Sequence, residues 1–268
     1  MPIKEIIAKH ILTKSNLPDS EFVINPYTGC AHSCIYCYAR FMKRFTNHPE
    51  EWGKFVDVKI NAPELVDKDM AKYKGEFITI GSVTDPYNPA ESKYKITRQI
   101  LEKFLSYQPE FDILTKSNLI LRDLDLLKKF KKLIVAMSIS SLEPKIAKQL
   151  EPFASPPTER IETLKVLHKA GIKTVLFISP IFPYITDWKG LIEETKGFVD
   201  EYWFENLNLY SSIKGNVFGF LTKYDKDLIG KYIGIYSKKS TCWHDVEKEI
   251  KVFCKEQGVK GTVYFHHK

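Results

Sequence analysis

Six short runs of β-branched and aromatic residues, separated by stretches of helical length, constrain the fold of this chain more than any other feature. They are Phe22–Ile24, Phe77–Ile80, Phe111–Leu114, Leu133–Ser138, Thr174–Ile178 and Tyr202–Leu207. This alternation is the pattern of βα units around a parallel sheet. Six units are fewer than the eight that close a TIM barrel, so the expected fold is α/β, an open partial (β/α)6 barrel with a lateral mouth. Between the strands, Ile96, Ile100, Leu101, Phe104 and Leu105 form a stripe at helical spacing, and Arg122–Phe130 repeats it with leucines. Ser155-Pro156 reads as an N-cap and first-turn proline, and Gly171 as a left-handed stop. With 268 residues, 44% of them hydrophobic, one catalytic domain is expected. The barrel spans 22–210, an N-terminal extension 1–21, and a mostly helical C-terminal cap 211–268, with a short strand at Thr262–Phe265 and a tail reaching His267.

Three of the five cysteines, Cys30, Cys34 and Cys37, lie within eight residues, directly after the first predicted strand. Reactive groups of parallel barrels collect on loops at the strands' C-terminal ends. Crowded cysteines of this kind do not resemble a secreted disulfide framework and point to a reducing compartment and a metal or catalytic role. Thiolates are iron–sulfur ligands, and three of them leave one iron of a four-iron cluster open. Two alternatives are a zinc site completed by His32 and a non-catalytic iron–sulfur module whose fourth ligand is His32 or a distant cysteine.

The string Asn25-Pro26-Tyr27-Thr28-Gly29-Cys30-Ala31-His32-Ser33-Cys34-Ile35-Tyr36-Cys37-Tyr38-Ala39-Arg40, with its Cys-x3-Cys-x2-Cys core and an aromatic before the last cysteine, resembles the radical S-adenosylmethionine (SAM) superfamily. Within it, the string looks like the branch related to spore photoproduct lyase, also described as DNA repair photolyase-like. The resemblance runs from about Ile11 to Leu209. It implies a partial barrel of the radical SAM type, a [4Fe–4S] cluster on Cys30, Cys34 and Cys37, and SAM cleaved to a 5′-deoxyadenosyl radical that takes hydrogen from a substrate. It further implies Thr84 and Asp85 for the SAM methionyl amine, Lys116 for its carboxylate, and Ser138 and Ser140 near its ribose and methionyl part, although the family has Asn where Ser140 stands. Arg160, paired with Glu151, would support the pocket, and the loop beginning at Ser179 would line the adenine. Tyr36 and Tyr38 are candidate catalytic residues as radical relays, with Tyr87 and Tyr210 as further candidates. One departure stands out: spore photoproduct lyase has a hydrogen-donating cysteine where this chain has Ser82, so that specific repair activity is not expected.

On the last strand, Glu205 and Asn206 point to opposite faces, so one of them can face the barrel interior. Cys242 and Cys254, twelve residues apart in the helical tail, would not share a helix face and read as buried thiols. Forty Lys and Arg against 33 Asp and Glu give a net +7, which favours polyanionic partners. Partners expected are an electron donor of flavodoxin or ferredoxin type and a substrate that is a nucleic acid, a small molecule or a protein. The run Lys128-Lys129-Phe130-Lys131-Lys132 reads as a solvated helix end. The chain's start lacks an apolar leader and no segment has the length a bilayer requires, so a cytoplasmic protein without membrane contact is expected.

Overall fold

The computed structural model describes residues 1–71, 73 and 75–266. In chain order the strands are β1 (Ile3–Ile6), β2 (Leu12–Leu17), β3 (Ser20–Ile24), β4 (Tyr27–Thr28), β5 (Val56–Lys59), β6 (Ile78–Ile80), β7 (Phe111–Thr115), β8 (Leu133–Ser138), β9 (Lys173–Ile181), β10 (Glu201–Asn206) and β11 (Gly261–Val263). Eight of them form one curled half-barrel sheet, ordered β11-β10-β9-β8-β7-β6-β3-β2. All pairings from β3 to β11 are parallel, and β2 closes the edge as the antiparallel partner of β3. The six expected strands are the central six of this sheet.

The register separates two faces. Phe111 packs edge-on against Phe104 and Phe130, so it looks out toward the helices, while its strand neighbour Asp112 looks in. The outward side of the sheet carries Ile78, Ile80, Ile113, Val135, Met137, Leu176, Ile178 and Phe204, all fully buried under helices. The helix Ile96–Phe104 buries Ile96, Ile100, Leu101 and Phe104, the expected stripe, with Leu105 at its end only half-buried. Removing side chains of this size from water is the main source of barrel stability.

Several details differ from expectation. The 122–130 stretch is a 3-10 turn, Asn118–Asp123, followed by the one-turn helix Leu124–Leu127, not one continuous helix. Asp123 is held there by Arg98 and Arg122, which favours a turn over helix propagation. Ser155 does not cap the next helix, which runs Pro157–Lys169 behind Pro156. Its hydroxyl instead exchanges hydrogen bonds with Asn118, 3.0 Å to each of the amide N–H and the side-chain oxygen. Gly171 is left-handed as expected, φ 78°.

A second sheet, β1-β5-β4, has no counterpart in the hydrophobic pattern. Its strands are short and interrupted by Lys4, Asp57 and Lys59, so alternation could not reveal them. The sheet braces the base of the cysteine loop. Of the C-terminal helices Ser211–Tyr224, Leu228–Ile235 and Cys242–Gln257, the first reaches the cysteine loop, where Asn216 donates to the Ile35 carbonyl at 3.4 Å, and the chain then returns as β11 beside β10. Close approach at that edge requires Gly261, because a Cβ there would lie 2.7 Å from the Cys254 sulfur. His267 lies outside the described residues.

Candidate functional site

The cysteine loop emerges from β3 and β4 at the C-terminal rim of the barrel. Gly29, at φ 84°, turns the chain into Cys30, and a Cβ there would collide with the Phe55 carbonyl. After Cys37 the chain enters a 3-10 segment, Tyr38–Phe45. Burial pushes the Cys30 thiol up to about 12, with the nearby Asp85 charge adding to it. Burial also pushes Cys34 and Cys37 up.

Three carboxylates tie this loop to other strand ends. Asp85, after β6, accepts from the Thr115 hydroxyl at 2.7 Å, the Lys116 amide at 2.7 Å and the Tyr87 amide at 2.8 Å, and its Oδ2 lies 3.2 Å from His32 Nδ1. Burial alone would raise its carboxyl, but His32 and these donors hold it below the usual range. Glu151, on the loop before the helix Pro157–Lys169, accepts from the Tyr36 hydroxyl and pairs with Arg160 at 2.5 Å, both charges almost wholly buried. Burial pushes Glu151 up, and Arg160 and Lys116 outweigh it. Glu91 accepts from the Tyr27 hydroxyl and pairs with Arg122 at 2.6 Å.

The remaining expected residues gather on the same rim. Ser138 and Ser140 both donate to the Ser179 carbonyl, at 3.0 and 2.8 Å, so the alternation on β8 does aim them together. Ser179 donates to Glu205 at 2.5 Å. Thr84 donates to the Gly29 carbonyl at 2.6 Å and thereby fixes the root of the cysteine loop. Arg160 also donates to the carbonyls of Ser138 and Ser155, at 2.8 and 2.6 Å. The Lys116 ammonium stands 5.7 Å over the Tyr36 ring. Burial pulls it down, and the neighbouring Cys34 and Glu151 more than offset this. The Tyr38 hydroxyl donates to the Ser82 carbonyl, and Asn25 donates to the Ser82 hydroxyl at 2.9 Å.

Tyr87 is buried against Asp123, a packing role, whereas Tyr210 is exposed at the rim. Cys254 is buried under β11 and Cys242 half-buried, both in the helix Cys242–Gln257 and away from the cysteine loop. Glu205 faces inward with Ser179, and Asn206 accepts from the His266 amide at 2.9 Å. Below them, Phe177, Trp203 and Tyr264 form an edge-to-face ladder at 6.1 and 6.0 Å on the concave side.

Residues 24–194 match the Radical SAM superfamily. An uncharacterized protein of Methanocaldococcus jannaschii is 44% identical over 210 residues, covering 78% of this chain and 79% of the relative. The chain belongs to the radical SAM superfamily. An uncharacterized protein of Mycobacterium bovis is 24% identical over 251 residues, 87% of this chain and 73% of the relative. Among solved structures, spore photoproduct lyase complexed with dinucleoside spore photoproduct superposes with a TM-score of 0.71 at 17% identity, covering 98% of this chain and 82% of that one. Streptococcus suis SuiB bound to S-adenosylmethionine gives 0.57 at 15% identity, covering 91% and 50%. At such identities these likenesses show the shared fold.

The superfamily implies an enzyme that uses a [4Fe–4S] cluster and SAM, and the rim has the chemistry to hold both. Three soft sulfur donors come from one loop with cations beside them, and the Nε of Arg40 is buried without a hydrogen-bond partner. Among the described residues, no three His, Cys, Asp or Glu side chains stand close enough to hold a single metal ion. No helix among them is long and apolar enough to cross a membrane. Sequence reasoning passed over Glu91, Arg122, Trp52, Asp112 and His266. Glu91 follows the Asp-Pro turn within an otherwise unexceptional string, and its partner Arg122 lies 31 residues on, a pairing no local pattern signals.

Proposed function

We propose that this protein binds a [4Fe–4S] cluster through Cys30, Cys34 and Cys37, binds SAM on the adjoining rim, and abstracts hydrogen from a substrate lodged on the concave face. The observation that carries the reading is the convergence of the three-cysteine loop with Lys116, Ser138, Ser140, Ser179 and Arg160 at one end of an open barrel. When bound, the pair supplies one-electron cleavage of the sulfonium to methionine and a 5′-deoxyadenosyl radical.

The chain's residues divide the remaining tasks. The Lys116 ammonium makes no hydrogen bond or ion pair among the described residues, and it suits the SAM carboxylate. The Ser179 carbonyl, held by two serine hydroxyls, fixes the backbone of the adenine-side loop. Asp85 has both oxygens engaged, so it orients Lys116 and His32. The half-buried Phe177, Trp203 and Tyr264 offer π faces to a planar substrate group, and Glu205 adds an acceptor above them. These aromatic and polar groups, the net positive charge and the dinucleoside ligand of the lyase neighbour favour a nucleic-acid substrate. Ser82 lacks a thiol's weak S–H bond, so photoproduct repair by thiol hydrogen return is not proposed. A reductant of flavodoxin or ferredoxin type would deliver the electron.

Anaerobic reconstitution tests the reading. About four irons per chain and 5′-deoxyadenosine formed on reduction with SAM are expected. An intact protein that binds neither iron nor SAM would overturn it. For the substrate, binding to DNA or RNA that weakens steeply with salt is expected. Absence of binding at low salt rules nucleic acid out.

A further inference from the structure

Among the described residues, the only side-chain hydrogen bond to a sulfur of Cys30, Cys34 or Cys37 comes from Trp52. Its indole Nε1–H donates to Cys37 Sγ at 3.2 Å. Trp52 is only 5% exposed, so water does not compete for that N–H. The donor is held from several sides. Its ring meets Phe55 edge-on at 5.7 Å, and Phe55 stacks on His48 at 3.9 Å. His48 is in turn fixed between Asp57, at 2.7 Å, and Glu50, at 3.1 Å. Ala39, Met42 and Val83 pack around the same small cluster, which is separate from the main core. The Ser33 hydroxyl donates to the Gly53 carbonyl and fastens this segment directly onto the cysteine loop. The loop between Phe45 and β5 therefore places one neutral donor on one sulfur.

We propose that Trp52 tunes the reduction potential of the cluster through Cys37. The proposal rests on the reading of Cys37 as a cluster ligand. Hydrogen bonds to cluster sulfurs are among the determinants of iron–sulfur potentials, and residues behind the ligands tune a metal site. The physical reason is charge: an added electron makes the ligand sulfur more negative, and an N–H donor stabilises that state more than the oxidised one. Trp52 thus makes the cluster easier to reduce. It is a positioning residue that acts through Cys37.

Trp52→Phe keeps an aromatic ring in the pocket and deletes the donor. An EPR-monitored redox titration of the reconstituted protein without SAM reads the potential independently of turnover. A three- to tenfold fall in the reduction equilibrium constant is expected, about 30–60 mV more negative at 59 mV per tenfold for one electron. A purely packing role predicts no change, or a rise as water enters and solvates the reduced cluster, so the sign separates the two. An unchanged or raised potential overturns the proposal and leaves the cluster assignment standing, while a wild type that takes up no cluster overturns both. Should Trp52→Phe fail to assemble a cluster, replacing Trp52 by benzothienylalanine, which matches its shape but has no N–H, repeats the titration with the same two outcomes.

Discussion

Replacing Arg160 by Met should reveal how much of the rim depends on one buried ion pair. Arg160 and Glu151 are each about 1% exposed and meet at 2.5 Å. Two further Arg160 bonds, to the carbonyls of Ser138 and Ser155, would be lost with it. Methionine matches the length of the stem and suits a helix. It would leave the Glu151 carboxylate buried with the Tyr36 hydroxyl as its principal remaining donor. Removing one partner of a buried pair costs about 3–5 kcal/mol, because the orphaned charge stays out of water. Unfolding entropy of roughly 2.1 cal/mol/K per residue gives about 0.6 kcal/mol/K for a chain of this length, so Tm should fall by about 5–8 °C. Adding Glu151→Gln should recover a large part of that loss, since a neutral amide needs no counter-charge. Thermal denaturation of the wild type, both single variants and the double variant closes the cycle. A single variant within about 1 kcal/mol of wild type, or a double variant no more stable than Arg160→Met, would refute the reasoning. The same preparations should lose iron faster on gel filtration, since Tyr36 precedes Cys37 and its anchor is Glu151.

Asp112 faces the concave side with Oδ1 unpartnered, and burial lifts its carboxyl to about 7. Its folded value lies above the unfolded one near 4, so the native state holds the proton more tightly and stability falls as pH rises through about 4 to 7, by at most about 4 kcal/mol. Melting curves of Asp112→Asn and wild type should diverge in favour of Asn over that window; parallel curves would refute the shift. Gly29→Ala forces a side chain into a left-handed position and onto the Phe55 carbonyl, so it should destabilise by more than about 1 kcal/mol and impair cluster retention. Wild-type stability and iron content in that variant would refute the strain. Lys116→Ala should weaken SAM binding by roughly 10- to 100-fold, as expected for a lost charge-assisted hydrogen bond, with iron content unchanged. Calorimetry on the reconstituted protein would show it, and unchanged affinity would remove Lys116 from the pocket.

Much of the fold was legible because parallel strands buried on both faces read as continuous apolar runs. Leu133–Ser138 runs as the sequence suggests, and β9 extends past Ile178 to Ile181. The small sheet was not legible, since Val56-Asp57-Val58-Lys59 is too short and too polar to stand out. The site divides the same way. Cys30, Cys34 and Cys37 announce themselves by spacing within one loop, and Ser138 with Ser140 by strand alternation. Glu91 and Trp52 act through partners far away in sequence or on another segment, so no local pattern encodes them. Ser155 reads as a cap in isolation, yet a nearby Asn118 takes its hydroxyl; tertiary competition of this kind is invisible to a capping rule.

The cysteine loop has almost no regular structure, yet the proposed cluster would need three sulfurs presented in one fixed array. Its anchoring explains how. Tyr27 is bound to Glu91, His32 contacts Asp85, and Tyr36 is bound to Glu151. Asp85 and Glu91 both stand on the segment after β6, Glu151 on the one after β8, and each is already committed to another element: Glu91 to Arg122, Asp85 to the end of β7, Glu151 to Arg160. A loop pegged at intervals of four to five residues to three independently fixed points has little freedom left, whatever its intrinsic conformation. The anchors alternate with the cysteines along the chain, so no sulfur is more than three residues from one. Loss of any single peg should therefore loosen its nearest cysteine first, and the order in which Cys30, Cys34 and Cys37 become open to alkylation in the metal-free variants follows from which peg is removed.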